Sequence, residues 1–264
     1  VKLPISFQQI WAFTVRSSLV NRRNVFAVFE MLFWPVIGIF SVGLLTRFLQ
    51  LSEETVTFIL IGAICMNTIQ IGQLDLSYAL LYSVWSKSLK HEFIAPIRLG
   101  HILLGAGFMG LIRGVLAFLL MAVLSVGLFG MELSRPGPWP LVVFLVGMFL
   151  NAAIIGALVI ALVLRFGQRA EVAAWAFSYL LLLLCGLYYP VSVLPSGVQA
   201  LARIIPLTYF LEYFRHFYGF SLHYGRPLLY GFSLSVIYIF ASYGLLLYTL
   251  RSAYRRGILL RLSE

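Results

Sequence analysis

Two charged residues stand where apolar residues dominate. Asp75 lies late in the apolar run 56–81, close to Gln70 and Gln73, and Arg113 lies inside the run 102–129. Charges at such depth face a bundle interior or a water-filled cavity and are paired there. Both are therefore expected to face inward as intramembrane polar residues. At 1.5 Å per residue, Arg113 sits roughly 16 Å along its segment, whereas Asp75 nears the end of its own. A direct pair thus competes with the reading that Asp75 simply reaches the membrane surface.

Other chemistry is missing. The only lysines are Lys2, Lys87 and Lys90. None follows a glycine, so the GK[ST] element of a phosphate-binding loop is not formed. No GxSxG elbow, HExxH helix or EF-hand loop occurs. His91, His101, His216 and His223 are scattered along the chain, and Cys65 and Cys185 lie inside apolar stretches. No metal site is expected, and the cysteines read as small buried hydrophobes. No catalytic residue is identified, so the chain is not expected to be an enzyme.

The elements that hold these residues follow from composition. Of 264 residues, 61% are hydrophobic and 11% charged, and mean hydropathy is +0.97. A soluble domain carries roughly 25% charged residues, so lipid is the expected solvent. The net charge of +10 does not imply nucleic acid, because the basic residues fall between long apolar runs. Six runs approach the roughly 20 residues that cross a bilayer as a helix: 32–48, 56–81, 102–129, 139–164, 172–189 and 228–250. They do not alternate as barrel strands do. The expected fold is an all-α membrane protein with six transmembrane helices.

Lys and Arg mark the cytoplasmic side. Lys2, Arg16, Arg22, Arg23, Lys87, Lys90, Arg98, Arg165, Arg169, Arg251, Arg255, Arg256 and Arg261 fall on one side of such a fold. Arg47, Arg135, Arg203, Arg215 and Arg226 fall on the other. Both termini are expected in the cytoplasm. The segment before the first run is too long and too basic within to be a cleaved signal peptide, so the first span is expected to stay.

Three segments that do not cross stand out. In residues 6–26, Phe7, Ile10, Trp11, Thr14, Val15, Ser18 and Leu19 recur at helical spacing away from Arg16, Arg22 and Arg23. This predicts an amphipathic helix on the inner leaflet, against a disordered basic leader. Residues 83–101 mix charge with Leu89, Phe93, Ile94 and Ile97, and Pro96 stops a short helix. They read as a docking element for a soluble partner, against a solvated loop. Residues 186–226 are broken by Pro190, Pro195 and Pro206 yet rich in Leu, Tyr and Phe. Short re-entrant helices before the last span fit them, since broken backbone at that depth needs burial in protein or a cavity. An aromatic belt at the outer interface is the competing reading.

This order of parts resembles the type-2 ATP-binding-cassette permease family, the membrane subunits of many bacterial drug, lipid-linked glycan and polysaccharide exporters. The most specific match is GLYYPVSVLPSGVQALARIIPLTYFLEYFR, residues 186–215. It resembles the family's aromatics and Pro, then NPLTY, an acidic residue and Arg. Ile205 stands where the family usually has Asn, and Pro206, Leu207, Thr208 and Tyr209 keep the pattern. The loop SKSLKHEFIAPIRLGHILLG is similar to the family's cytoplasmic segment with its "P-I" step, but is less acidic.

The resemblance covers essentially the whole chain and implies one permease domain over 1–264, in the cell (inner or plasma) membrane. It implies a second permease copy, with a homodimer expected, and two separate ATPase subunits. ATP and Mg would be bound by those subunits, with no cofactor in this chain. Residues 83–100 would be the coupling helix, with Leu89, Glu92, Phe93, Pro96 and Ile97 against the ATPase. The segment 190–215, with Tyr188 and Tyr189 before it, would form the pathway or outer gate through Tyr188, Tyr189, Pro190, Pro206, Tyr209, Glu212 and Arg215. An ion-coupled secondary transporter is the alternative. It needs midplane carboxylates and repeated halves, and Asp75 is the only acid well inside an apolar run.

Overall fold

A chain without water around it must satisfy its backbone groups locally, which favours helices. The computed structural model describes residues 7–23, 25–88 and 99–255. Among the described residues it is all helix and turn. In order these are α1 (Phe7–Arg23), α2 (Val25–Phe48), α3 (Glu53–Trp85), α4 (Leu99–Phe129) and α5 (Pro138–Phe166). A 3-10 turn (Gly167–Glu171) leads straight into α6 (Val172–Leu184). Then come a second 3-10 turn (Val191–Val193), α7 (Ser196–Ala202), α8 (Pro206–His216) and α9 (Pro227–Arg255).

Helix ends follow local chemistry. Ser52 caps α3, its Oγ accepting from Thr55 N at 3.4 Å, and Glu53 and Glu54 sit in the first turn where the helix dipole favours anions. Pro138 opens α5 after Gly137, and Gly167 at φ 75° closes it.

Among the described residues, five helices are long and apolar enough to cross a bilayer: α2 from Met31, α3, α4, α5 and α9. The last four have 29 to 33 residues, roughly 44–50 Å, so they exceed the roughly 30 Å hydrocarbon core. The fifth apolar run differs from the expectation. It is helical only over the 13 residues of α6, roughly 20 Å. The chain then turns, because Gly186 takes a left-handed φ of 67°. The three following residues, Leu187 to Tyr189, continue as bends rather than helix, and Pro190 is extended.

The bundle is built around α3, which packs between α4 and α5 and also meets α2 and α6. Leu60, Ile61, Ile64, Leu80 and Leu81 of α3 are fully buried, with Phe118 of α4 and Phe144 of α5. Helix α8 is wedged against α5 and α9. Its Phe214 ring stacks on Phe144 at 4.3 Å, and Gly147 leaves the space that the Phe210 ring fills. Conversely, α2, α4 and α9 expose Phe40, Leu44, Phe108, Leu116, Ile237 and Phe240. Such a surface is stable in lipid and not in water. The chain is a multi-pass membrane protein.

Helix α1 divides its apolar residues between two faces. Phe7, Trp11, Val15 and Leu19 are exposed, as an interfacial stripe requires. Phe13 and Thr14 are buried instead. Gly105 of α4 is their seat: a Cβ there would lie 2.5 Å from Phe13 Cβ, and Thr14 Oγ1 donates to Gly105 O at 3.2 Å. The single stripe read from the sequence is therefore split, with Thr14 turned to the bundle.

Candidate functional site

The two intramembrane charges meet. Gly110 brings α4 onto α3: a Cβ there would stand 3.0 Å from Gly72 O and 3.2 Å from Asp75 Cβ. Arg113, one turn further on, lies on the same face of α4. Its Nη1 donates to Asp75 Oδ1, forming an ion pair. Its Nε points to Met31 Sδ at 3.5 Å. The difference in depth is bridged by the long side chain. Asp75 is 10 residues before the end of α3 and Arg113 is 14 residues after the start of α4, an offset of roughly 6 Å.

The pair is enclosed but not dry on every side. The Arg113 and Asp75 side chains are 13% and 11% exposed. Asp75 Oδ2 is buried without a hydrogen-bond partner among the described residues. On one side is a cavity of about 50 Å³ lined by Met31, Trp34, Asn67, Gln70, Tyr78, Tyr82 and Trp175. On the other, a cavity of about 30 Å³ is lined by Phe13, Arg16, Ser17, Ile102 and Ala106. Asp75 belongs to both walls. Each has room for ordered water, which needs roughly 10–15 Å³.

Planar polar groups and aromatic faces therefore surround a charge-neutral centre. That arrangement can hold polar solutes or water. The sequence reading found the two charges and missed Trp34, Tyr78, Tyr82 and Trp175. A signal existed for the tyrosines: Asp75, Tyr78, Tyr82 and Trp85 follow helical spacing on one face of α3, and the three rings touch edge to face or tilted. Trp34 and Trp175 come from other helices and had none.

A buried polar seam positions α6 beside this centre. Gln73 Nε2 donates to Ala174 O at 2.9 Å and to Ser178 Oγ at 3.3 Å. Tyr78 Oη donates to Glu171 Oε1 at 3.3 Å. At the α1 side, Arg16 Nη2 donates to Ser83 Oγ at 3.1 Å.

Of the residues expected at the gate, Arg215 reaches the first turns of α3. Arg215 of α8 is 4% exposed. Its Nη1 donates to Gly186 O at 2.6 Å, and its Nη2 to Leu187 O at 2.5 Å and Phe58 O at 2.9 Å. The guanidinium also lies 3.5 Å from the Phe58 ring centroid. Gly62 makes this possible, since a Cβ there would fall 1.7 Å from Leu187 O. Nothing in the apolar run marked Phe58 or Gly62 as partners.

The other gate candidates serve the same hairpin. Glu212 Oε2 accepts from Tyr224 N at 3.1 Å, tying α8 to the loop before α9. Tyr209 Oη donates to Arg203 O at 2.8 Å, and Tyr189 Oη to Leu183 O at 2.5 Å. Pro206 is the first residue of α8, where its missing N–H costs nothing. Tyr188 is half-buried beside the core and Pro190 is exposed. Leu89, Glu92, Phe93, Pro96 and Ile97 lie outside the described residues. The flanking turn is described: Ser88 N donates to Ser83 O at 3.0 Å.

Comparison with known proteins agrees with this architecture. The model of the ABC-2 type transporter family matches residues 8–219, from α1 through α8. A stretch of 48 residues is 46% identical to an uncharacterized protein of Archaeoglobus fulgidus, covering 18% of this chain and 75% of that protein.

Proposed function

This chain belongs to the ABC-2 type transporter family, and from that premise we propose that it is the membrane subunit of an exporter, forming the substrate path with a second copy of itself. As a transporter permease domain of an ABC system it works with ATPase subunits and is not itself the ATPase. The family match over residues 8–219 carries the reading. It embraces α1, the segment 89–98 and the α6–α8 hairpin together.

In this reading both termini are cytoplasmic and α6 with the following turn completes a sixth crossing. Two ATPase subunits bind ATP and Mg and press on residues 83–100. Leu89, Glu92, Phe93, Pro96 and Ile97 make that contact. The hairpin held by Arg215 dips into the outer leaflet as the outer gate. The Asp75–Arg113 centre lies along the path. The cargo is a drug, a lipid or a lipid-linked glycan or polysaccharide, and the setting is the cell membrane.

The test is purification from membranes with the partner ATPase, followed by reconstitution. Phe93→Asp is expected to abolish substrate-stimulated ATP hydrolysis while leaving the permease folded. Ion-gradient-driven uptake into vesicles containing this chain alone overturns the reading in favour of a secondary transporter.

A further inference from the structure

Helices α6 and α9 both pack on α5, and a cleft of about 330 Å³ lies between them. Its wall is mostly Ile, Leu and Phe, with Pro206 at the start of α8. Three polar residues interrupt it: Asn151 of α5, and Tyr238 and Ser242 of α9. The export reading gives them no task.

Asn151 stands at the middle of its span. It is 13 residues after the start of α5 and 15 before its end, roughly 20 Å from either. An asparagine at that depth ordinarily bonds across to another helix. Asn151 does not. Its Nδ2 donates to Gly147 O at 2.8 Å, one turn back in the same helix. A carbonyl can only accept, so the amide nitrogen is fixed at that end and the carboxamide oxygen at the other.

That oxygen is the second observation. Asn151 is 3% exposed, and its Oδ1 accepts no hydrogen bond among the described residues. Yet Oδ1 is not one of the fully enclosed unpaired atoms. The surface it keeps opens on this cleft, whose wall Asn151 forms. Filling the cleft with hydrocarbon alone leaves the acceptor unsatisfied, which is costly away from water.

The other two groups complement it. The Tyr238 hydroxyl makes no hydrogen bond among the described residues and has a proton to give. Ser242 Oγ donates to Ile239 O at 3.1 Å and keeps its lone pairs. The cleft thus offers an acceptor on α5 and a donor on α9. A hydroxyl group answers both at once. A cation is disfavoured at this depth, and no carboxylate lines the cleft. The volume falls within the roughly 300–1,000 Å³ of sites for drug-sized molecules.

We propose that this cleft binds a neutral apolar alcohol dissolved in the bilayer interior. Its hydroxyl donates to Asn151 Oδ1 and accepts from Tyr238, and its hydrocarbon body rests on the Ile and Leu wall. Depth decides the source: a phospholipid is anchored by its headgroup at the surface, so the occupant has no charged head. The site does not depend on the export reading.

The test is photolabelling of the full chain in phosphatidylcholine nanodiscs with a diazirine-bearing C15 isoprenoid alcohol, with adducts mapped by mass spectrometry. Saturable adducts are expected within 177–184 and 238–242, displaced by unlabelled farnesol. Asn151→Leu is expected to weaken farnesol about fivefold to tenfold, near 1–1.4 kcal/mol. Tyr238→Phe is expected to weaken it about threefold at unchanged melting temperature. Farnesyl methyl ether, with no O–H to give, should compete at least about fivefold more weakly. Leu180→Trp, which fills the mouth from a half-exposed position, should remove the saturable adducts without touching the polar groups.

Adducts spread over every lipid-facing helix and not displaced by farnesol overturn the proposal. So does equal competition by the hydrocarbon farnesane. So does unchanged farnesol affinity in an Asn151→Leu/Tyr238→Phe chain that still melts cooperatively.

Discussion

Arg113 and Arg215 are both buried arginines of the same bundle, solved in opposite ways. Arg113 meets a carboxylate, so charge is cancelled by charge between two side chains. Arg215 meets three backbone carbonyls and a ring face. Carbonyl dipoles hold the cation but leave its charge in place, and they belong to the backbone of α3 and of the turn after α6. The Asp75–Arg113 pair joins two helices that already pack closely through Gly110 and Gly72. Arg215 instead joins three segments far apart in sequence. The first arrangement can be exchanged for a neutral one, because both partners are replaceable. The second cannot, because no side-chain change removes the carbonyls.

The largest effect tests that difference at Arg215. Arg215→Met is expected to leave three buried carbonyls short of a donor, at about 1–3 kcal/mol each for groups left unsatisfied. Loss of about 4 kcal/mol or more should appear as a collapse of the melting temperature in detergent and rapid proteolysis in 186–216. Gly62→Ala should approach the same outcome without touching the charge, because its Cβ meets the Leu187 carbonyl.

At the other arginine, Asp75→Asn alone should cost about 3–5 kcal/mol by taking the carboxylate's charge from beside a buried guanidinium. The double change Asp75→Leu/Arg113→Met should recover the stability to within about 1 kcal/mol of the parent, or above it. If the double variant is as unstable as the single one, the contrast between the two sites fails. Recovered stability with lost transport would assign the pair to the path.

The smallest effect sharpens the account of how α3 and α4 meet. Gly110→Ala places a Cβ at 3.0 Å from Gly72 O, close enough to force a shift of a few tenths of an ångström. About 1–2 kcal/mol of destabilisation is expected. Because Gly127 has open space beside it, Gly127→Ala in the same helix should be neutral or slightly stabilising.

Much of this was legible beforehand. Composition demanded lipid, and long apolar runs demanded helices, so α2 to α5 and α9 emerged close to their positions. The proline breaks at 190, 195 and 206 announced the short α7 and α8. What was not legible had a common cause. The fifth run has the hydropathy of a span, but its helix ends at Leu184 because Gly186 turns left-handed, and glycine permits that turn without requiring it. In α1, Phe13 and Thr14 turn inward because Gly105 on a distant helix leaves them room.

The sequence by itself determined the solvent, the helical class and the two charges that lipid would not tolerate alone. These are properties of local composition, since transfer free energy adds residue by residue. Only the tertiary structure decided which carbonyls face Arg215, that Asp75 reaches Arg113, and that Trp34 and Trp175 share one cavity. Those depend on how helices rotate and approach, and small residues such as Gly62 and Gly110 acquire meaning only from the atom on the neighbouring element that fills their space.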